Sequence, residues 1–170
     1  MELMEAIRTR KSVRAYLDRP VDDATLARVL EAARLAPSAN NKQEWRFIAV
    51  RDLAMRERIS REAAKDRFIA QAAIILACCA ETDERVMSCG QVAYTVDVAI
   101  AMDHLSLAAV AEGLGTCWIG GFDEKVVKEL LGIPEGVRVV ELMPLGWPVN
   151  PAAVEKRRQP LEKILRLERW

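Results

Sequence analysis

The sequence has no excess of either charge. Its 25 lysine and arginine residues balance 25 aspartate and glutamate residues, so the formal net charge at pH 7 is zero. A chain without a net field does not attract nucleic acid or an anionic membrane surface. Any anion-binding site must therefore be local.

The sequence also lacks the spacings of common metal and nucleotide sites. Its cysteines, Cys78, Cys79, Cys89 and Cys117, form no CxxC pair, and the single histidine, His104, has no cysteine at ligand spacing. We expect reduced, packed thiols and a packed or interface histidine, with no metal and no catalytic base. No GxGxxG or GxxxxGK[ST] turn occurs, which excludes a Rossmann fingerprint and a nucleotide P-loop.

An uninterrupted apolar run of membrane-spanning length is missing as well. The apolar stretch 92–110 is broken by Asp97, Asp103 and His104, and charges inside a membrane span are costly. We therefore expect a buried helix over about residues 91–112. The first 20 residues contain no hydrophobic segment of a secretory signal, so a cytoplasmic location is expected.

What the sequence does contain is a regular order of helices and strands. About half of its 170 residues are apolar, which suits one domain over 1–170, with the basic segment 149–170 as a C-terminal extension. AAIILACCA (72–80) is the apolar pattern of a strand buried on both faces. The helix at 91–112 is apolar on nearly every side, so we expect it to pack along a partner in a homodimer.

Three shorter elements are predicted from their residue patterns. WRFIAVRD (45–52) alternates as a strand does. DLAMRERISREAAKDR (52–67) is typical of a charged surface helix, and PLEKILRLERW (160–170) favours a terminal helix.

Three stretches have compositions that neither a packed core nor a solvated face requires. In the basic stretch RKSVR (10–14), the first, third and fifth residues would point the same way if extended and grip one phosphate, although a solvated basic turn has the same composition. The polar loop PSANNKQEW (37–45) has side chains that could read the edge of a planar heterocycle or form ordinary turns. The glycine-rich loop GLGTCWIGG (113–121) has four glycines, which permit close approach to a ligand or a plain turn.

Taken in order, these stretches resemble those of the flavin-dependent nitroreductase family. RTRKSVRAY, PSANNKQEW, GLGTCWIGGF, and LMPLGWP followed by KRRQPLEKI match the family in order and rough spacing over essentially the whole chain. The resemblance implies an α+β fold with a mixed central β-sheet flanked by helices. It also implies a homodimer with the long buried helix at its interface and FMN bound between the subunits.

The resemblance further implies which residues contact FMN. The basic stretch would bind the phosphate and ribityl chain. Lys156 and Arg158, the late basic pair, would also bind the phosphate, and Arg157 could exchange roles with either of them. The polar loop of the other subunit and the glycine-rich loop would lie beside the ring system. Glu44 departs from the family, which usually has proline there, and adds negative charge near the site. The implied cofactor-binding residues are Arg10, Lys11, Ser12, Arg14, Pro37, Ser38, Asn41, Gln43, Trp118, Ile119, Gly120, Gly121, Lys156 and Arg158.

The activity that the resemblance implies is hydride transfer from NADH or NADPH, through flavin N5, to nitroaromatics, quinones or similar flat acceptors. The expected mechanism is ping-pong, with no obligatory side-chain acid or base, because the flavin carries the difficult chemistry. One alternative is a specialised branch of the family, such as a dehalogenase or a flavin-consuming enzyme. Another is a non-catalytic flavin-binding protein.

Overall fold

The computed structural model describes residues 1–170. The helices are α1 (Leu3–Thr9), α2 (Asp23–Arg34), α3 (Leu53–Arg58), α4 (Ala93–Ala111), α5 (Glu124–Leu131) and α6 (Leu161–Ile164). The strands are β1 (Trp45–Val50), β2 (Ile74–Glu81), β3 (Gly115–Thr116) and β4 (Val137–Gly146). A π-helix over Ile59–Ala64 continues α3, and short 3₁₀ helices cover Ala39–Asn41 and Arg67–Gln71.

The strands form one sheet in the order β1-β2-β4-β3, and every pair of neighbours is antiparallel. The one parallel pairing is an isolated bridge between Ser12 and Thr116. We expected a sheet with both parallel and antiparallel strands, and within one chain the only parallel pairing is this bridge. The α+β class predicted from the sequence is confirmed, because the helices cover the two faces of an antiparallel sheet.

β2 separates two apolar clusters. It is buried along its length except at Glu81, as its apolar pattern predicts. Leu76 and Cys78 pack with α2 and α4 on one face of the sheet. Ile75 and Ala77 pack with the π-helix and α5 on the other face. Both faces of the central strands are thus covered within one chain.

α4 is the predicted long helix. By length and composition it could cross a membrane, but half of its apolar stretch is buried inside the chain, where it packs with α2 against the sheet. This placement is that of a core helix. The opposite side of α4 carries a groove of about 480 Å³ lined by Val96, Ile100 and His104, and Val96 is 39% exposed.

Two helix predictions are wrong in part. The charged pattern over 52–67 is helical only to Ala64, and its second half is buried at Ile59 and Ala63 because it covers the sheet. The terminal helix is limited to the single turn α6, since its apolar side chains are exposed and a short helix without packing is marginal in water. The prediction of packed thiols holds for three cysteines, whereas Cys89 is exposed.

Candidate functional site

The basic stretch and the glycine-rich loop meet at the β3 edge of the sheet. Ser12 pairs with Thr116, and the amide of Val13 donates to the carbonyl oxygen of Thr116 at 2.9 Å. A Cβ atom on Gly115 would lie 2.4 Å from Cγ2 of Val13, so this approach requires glycine. Two of the three candidate stretches therefore form one continuous surface.

Four cations lie near titratable groups at this surface or have their own pKa shifted there. Burial lowers the pKa of Lys156, and the positive charges of Arg10 and Arg158 lower it further. Burial raises the pKa of the Cys117 thiol. The positive charge of Arg14 offsets part of this rise, and the charge of Arg10 offsets a smaller part. We call Arg10, Arg14, Lys156 and Arg158 the cation cluster.

No member of the cation cluster forms an ion pair with an acid of the chain. Like charges held close together disfavour one another's charged forms. An anion bound among them would relieve that repulsion and would accept charge-assisted hydrogen bonds. The hydroxyl of Thr116, buried beside the basic stretch without a hydrogen-bond partner, is a further polar group at this edge.

Lys11 has a different role in the chain. Its Nζ donates to the carbonyl oxygen of Asn150 at 3.0 Å and to that of Ala152. Lys156 likewise donates to the carbonyl oxygen of Ile7. These contacts fasten the C-terminal extension beside the basic stretch, and they bring the late basic pair to the cation cluster.

The polar loop is strained and held by its own side chains. Asn40, Asn41 and Gln43 have φ values of 56°, 55° and 53°, a region that non-glycine residues rarely adopt. The amide of Gln43 donates to Ser38 Oγ at 3.0 Å, and its Nε2 donates to Asn41 Oδ1 at 3.1 Å. Pro37 is exposed. No hydrogen bond or ion pair joins this loop to the cation cluster of the same chain.

Asp97 anchors the polar loop to α4. Its Oδ1 accepts a hydrogen bond from the amide of Ala39 at 3.0 Å, while its Oδ2 is buried without a partner. A buried carboxylate with so few partners is costly, so its position on an apolar helix points to this anchoring contact. The sequence interpretation used Asp97 only as an argument against a membrane span. The signal that could have found it is a lone acid on the buried side of a helix.

Replacing Asp97 by alanine should loosen the polar loop. The amide of Ala39 loses its acceptor, and a lost hydrogen bond to a charged group costs about 1.5 to 3 kcal/mol. Asp97→Asn is the matched control, because it removes the charge but keeps an oxygen acceptor. Hydrogen–deuterium exchange at residues 38–43 should be faster in Asp97→Ala than in Asp97→Asn. Equal exchange in wild type and both variants would contradict the anchoring contact.

The end of the glycine-rich loop lies against β4. Ile119 and Leu142 exchange backbone hydrogen bonds of 2.9 and 3.1 Å. This pairing buries Ile119, while Trp118, Gly120 and Gly121 on either side are exposed. The exposed backbone at these positions is open to a ligand.

Glu141 is a half-buried acid beside this backbone that the sequence interpretation missed. A Cβ atom on Gly120 would lie 3.3 Å from Oε1 of Glu141, so the carboxyl group occupies the space that a side chain at position 120 would fill. Burial raises the pKa of Glu141. The β2–β4 register shifts between Cys78 and Cys79, and such a β-bulge redirects neighbouring side chains.

The segment after the π-helix also reaches the glycine-rich loop. Ser60 Oγ donates to the carbonyl oxygen of Asp66 at 2.8 Å, and the amide of Asp123 donates to the carbonyl oxygen of Ala63 at 3.1 Å. Asp66 is close enough to the Cys117 thiol to raise its pKa. Sequence patterns showed only a charged surface helix here, so this neighbour was missed.

Glu44 is paired within its own region. Its side chain accepts from Thr82 Oγ1 at 3.2 Å and lies 3.9 Å from Nζ of Lys42, and the residue is buried. The acid that replaces the expected proline therefore bonds the polar loop to the chain that follows β2.

A cleft wider than the α4 groove lies elsewhere. It measures about 960 Å³ and is lined by residues such as Asp18, Arg56 and Arg61, and it includes no residue of the cation cluster, the polar loop or the glycine-rich loop. The candidate site is open to solvent, since Ser12 and Arg14 are exposed, and a pocket of about 200 Å³ beside it is lined by residues that include Lys11 and Gly115.

The α+β fold places an unpaired cation cluster beside the glycine-rich loop. This combination of fold and site defines a class of protein that binds a small anionic ligand. The family model that describes the Nitroreductase family matches residues 7–80 and 60–147. The chain therefore belongs to the nitroreductase family, and the resemblance noted in its sequence is confirmed.

Individual relatives agree with this assignment. The chain is 35% identical over 151 residues, 86% of each protein, to an Archaeoglobus fulgidus protein provisionally named NADH dehydrogenase/NAD(P)H nitroreductase. The crystal structure of a nitroreductase family protein from Clostridium novyi NT is similar with a TM-score of 0.82 at 34% identity, over 91% of this chain and 89% of that one. NADPH:FMN oxidoreductase from Vibrio harveyi, complexed with NAD⁺, is similar with a TM-score of 0.88 at 26% identity, over 99% of this chain and 77% of that one.

Proposed function

We propose that the chain is an NAD(P)H-dependent oxidoreductase that uses FMN. The observation that carries this proposal is the cation cluster, whose four positive side chains form no ion pair with an acid of the chain. A phosphate dianion suits such a cluster, because arginine presents two parallel donors to phosphate oxygens. The relative from Vibrio harveyi is an NADPH:FMN oxidoreductase, and it covers the site region of this chain.

The residues at the β3 edge fit the phosphate end of FMN. Arg10 and Arg14 would hold the phosphate with the Ser12 hydroxyl between them, and Lys156 and Arg158 would complete the charge. Lys11 would act indirectly, by holding the C-terminal extension in place.

The ring system would lie along the exposed backbone of Trp118, Gly120 and Gly121, with Ile119 fixed to β4 behind it. FMN there would accept hydride at N5 from NADH or NADPH and pass it to a nitroaromatic, a quinone or another flat acceptor in a ping-pong cycle. The chain would contribute binding and orientation without a side-chain acid or base. Burial raises the pKa of the Cys117 thiol, so this buried group stays protonated rather than acting as a nucleophile.

The open site favours a homodimer with FMN at its interface. The polar loop, with Pro37, Ser38, Asn41 and Gln43, is not joined to the cation cluster of its own chain, so we expect the loop of the partner to close the site. Exposed apolar side chains lie at the α4 groove and on the extension: Val96, Leu161, Ile164, Leu165, Leu167 and Trp170. On this proposal residues 1–170 are one domain, and residues 149–170 extend from it onto the partner.

Four free cysteines and the use of NAD(P)H suit a reducing compartment, so we place the enzyme in the cytoplasm. Small-molecule acceptors are its partners, with no role for nucleic acid or a membrane.

Steady-state kinetics of the FMN-loaded protein test the proposed cycle. NADH or NADPH is varied at several fixed concentrations of a quinone, and a ping-pong enzyme gives parallel double-reciprocal lines. Intersecting lines would contradict the shared site for donor and acceptor. FMN loss during turnover would identify a flavin-consuming branch, and bound FMN without nucleotide oxidation would identify a binding protein.

A further inference from the structure

Glu141 is a half-buried acid beside the glycine-rich loop that the proposed function does not use. Its side chain forms no hydrogen bond or ion pair, although both carboxyl oxygens lie within 3.4 Å of the position of a Cβ atom on Gly120. A half-buried acid without a partner loses part of its hydration without a compensating hydrogen bond. The strand therefore holds a partly dehydrated, unpaired acid at the backbone where the ring system of FMN is proposed to lie.

Local backbone geometry keeps Glu141 in this place. The β-bulge between β2 and β4 puts Glu141 opposite Cys78, and the Ile119–Leu142 pairing on the next residue fixes the glycine-rich loop alongside. Gly120 has no side chain, so nothing of residue 120 separates the carboxyl group from the loop backbone. Neither feature is needed for packing alone, since an apolar residue at 141 would satisfy the sheet.

The charged and titratable groups of the packed elements leave Glu141 without compensation. On β2, Cys78 is buried, and burial raises its pKa, with a smaller contribution from the negative charge of Glu141. On β4, Arg138 is held by Glu84 and Glu124 at 2.9 and 3.0 Å.

Further titratable groups belong to α4 and the segment before it. Tyr94 and Asp97 on α4 are buried, and Asp97 accepts a hydrogen bond from the amide of Ala39 in the polar loop. Two guanidinium nitrogens of Arg85 are buried without a partner. The pKa of Glu141 is raised by burial, and no cation offsets this shift.

We propose that Glu141 couples the reduction of bound FMN to proton uptake, and so sets how the reduction potential of the flavin depends on pH. The inference rests on the proposed function, because it requires the ring system beside Gly120. Hydride transfer from NAD(P)H brings two electrons and one proton, which leaves negative charge on the ring. That charge disfavours an ionised carboxylate nearby, so Glu141 takes one proton from solvent on reduction and returns it when the acceptor removes the hydride.

The sign of the effect follows from the two states of Glu141. At low pH the acid is protonated before and after reduction, so it has no influence on the potential. As pH rises through its titration, the carboxylate opposes reduction, and the potential of wild type falls more steeply than that of a variant without the acid. One additional proton for a two-electron couple changes the equilibrium constant tenfold per pH unit, which is about 30 mV.

The test compares FMN-loaded wild type, Glu141→Gln and the control Glu135→Gln by spectroelectrochemical titration from acid to alkaline pH. Glu135 is an exposed acid in the loop before β4, so its variant should follow wild type. We expect Glu141→Gln to match wild type at low pH and to have a higher potential at alkaline pH, equivalent to about tenfold in the equilibrium constant for a coupling of one pKa unit. A pH profile of Glu141→Gln that coincides with wild type would overturn the proposal.

A second measurement uses wild type alone and does not depend on a variant that folds. The infrared difference spectrum between reduced and oxidised protein, recorded over the pH range of the potential titration, should contain the band of a protonated carboxyl group that appears on reduction. Its absence in a protein that holds and reduces FMN would contradict the role of Glu141 alone. A wild-type protein that takes up no FMN would instead contradict the proposed function.

Discussion

Arg10→Ala and Arg14→Ala, combined in one protein, should yield a folded chain that no longer retains FMN. Each guanidinium would lose charge-assisted hydrogen bonds to the phosphate, worth about 1.5 to 3 kcal/mol per bond. Each single variant should therefore bind FMN roughly 10- to 100-fold more weakly, and the double variant roughly two to four orders of magnitude more weakly. Fluorescence titration of apoprotein with FMN measures these affinities.

Arg51→Ala is the matched control for these variants. Arg51 is an exposed arginine just beyond the end of β1, where it pairs with Asp23 at 2.6 Å, so its removal should leave FMN affinity unchanged. Thermal unfolding of the apoproteins separates lost binding from lost folding. Full FMN retention in both single variants would remove the phosphate role from the cation cluster.

Val96→Asp should convert the proposed dimer to a monomer and, with it, abolish tight FMN binding. Val96 lies on the exposed side of α4 in the groove that we assign to the subunit interface. An unpaired carboxylate buried at an interface costs several kcal/mol, which corresponds to at least about a hundredfold weaker association. The fold of one chain should be retained, because the core side of α4 is unchanged.

Light scattering at micromolar protein, together with FMN titration, measures both consequences. Leu53→Asp is the control, since Leu53 is also an exposed apolar side chain but lies on α3, away from the groove. A wild-type protein that is monomeric, or a Val96→Asp variant that remains a dimer with normal FMN affinity, would contradict this interface.

Much of the fold could be predicted from local patterns. The uninterrupted apolar run of β2 correctly indicates a strand with both faces covered, and the long apolar helix is found as α4. Asp123 and Gly132 begin and end α5 as their capping chemistry predicts, with a hydrogen bond of 3.2 Å from the amide of Val126 to Asp123 and a φ of 64° at Gly132. These features depend on neighbours within a few residues, which a sequence shows directly.

The site is harder to predict because its residues are far apart in the sequence and come together only in the folded chain. The order of the motifs indicated that the basic stretch and the glycine-rich loop belong to one site, but not that Gly115 packs on Val13. Asp97 and Glu141 were missed because a single acid within an apolar pattern is read as an exception to that pattern. The surroundings of such an acid are set by helix docking or by a β-bulge, and neither is visible in local composition.

Departures from sequence patterns also have physical causes. The charged segment after β1 is partly buried because its alanines and Ile59 cover the sheet while its charged side chains stay at the surface. The C-terminal extension contains a helical pattern but forms only one turn, since the apolar side chains of α6 are exposed. In a dimer the same apolar side chains would gain a surface to cover.

The most direct test of the proposed function is an anaerobic visible spectrum of the purified protein with added FMN, recorded before and after NADH or NADPH and then after a quinone or nitroaromatic. The proposed function predicts bound flavin that bleaches with at least one nucleotide and regains its absorption when the acceptor is added. A colourless protein that takes up no FMN, or bound flavin that neither nucleotide bleaches, would contradict it.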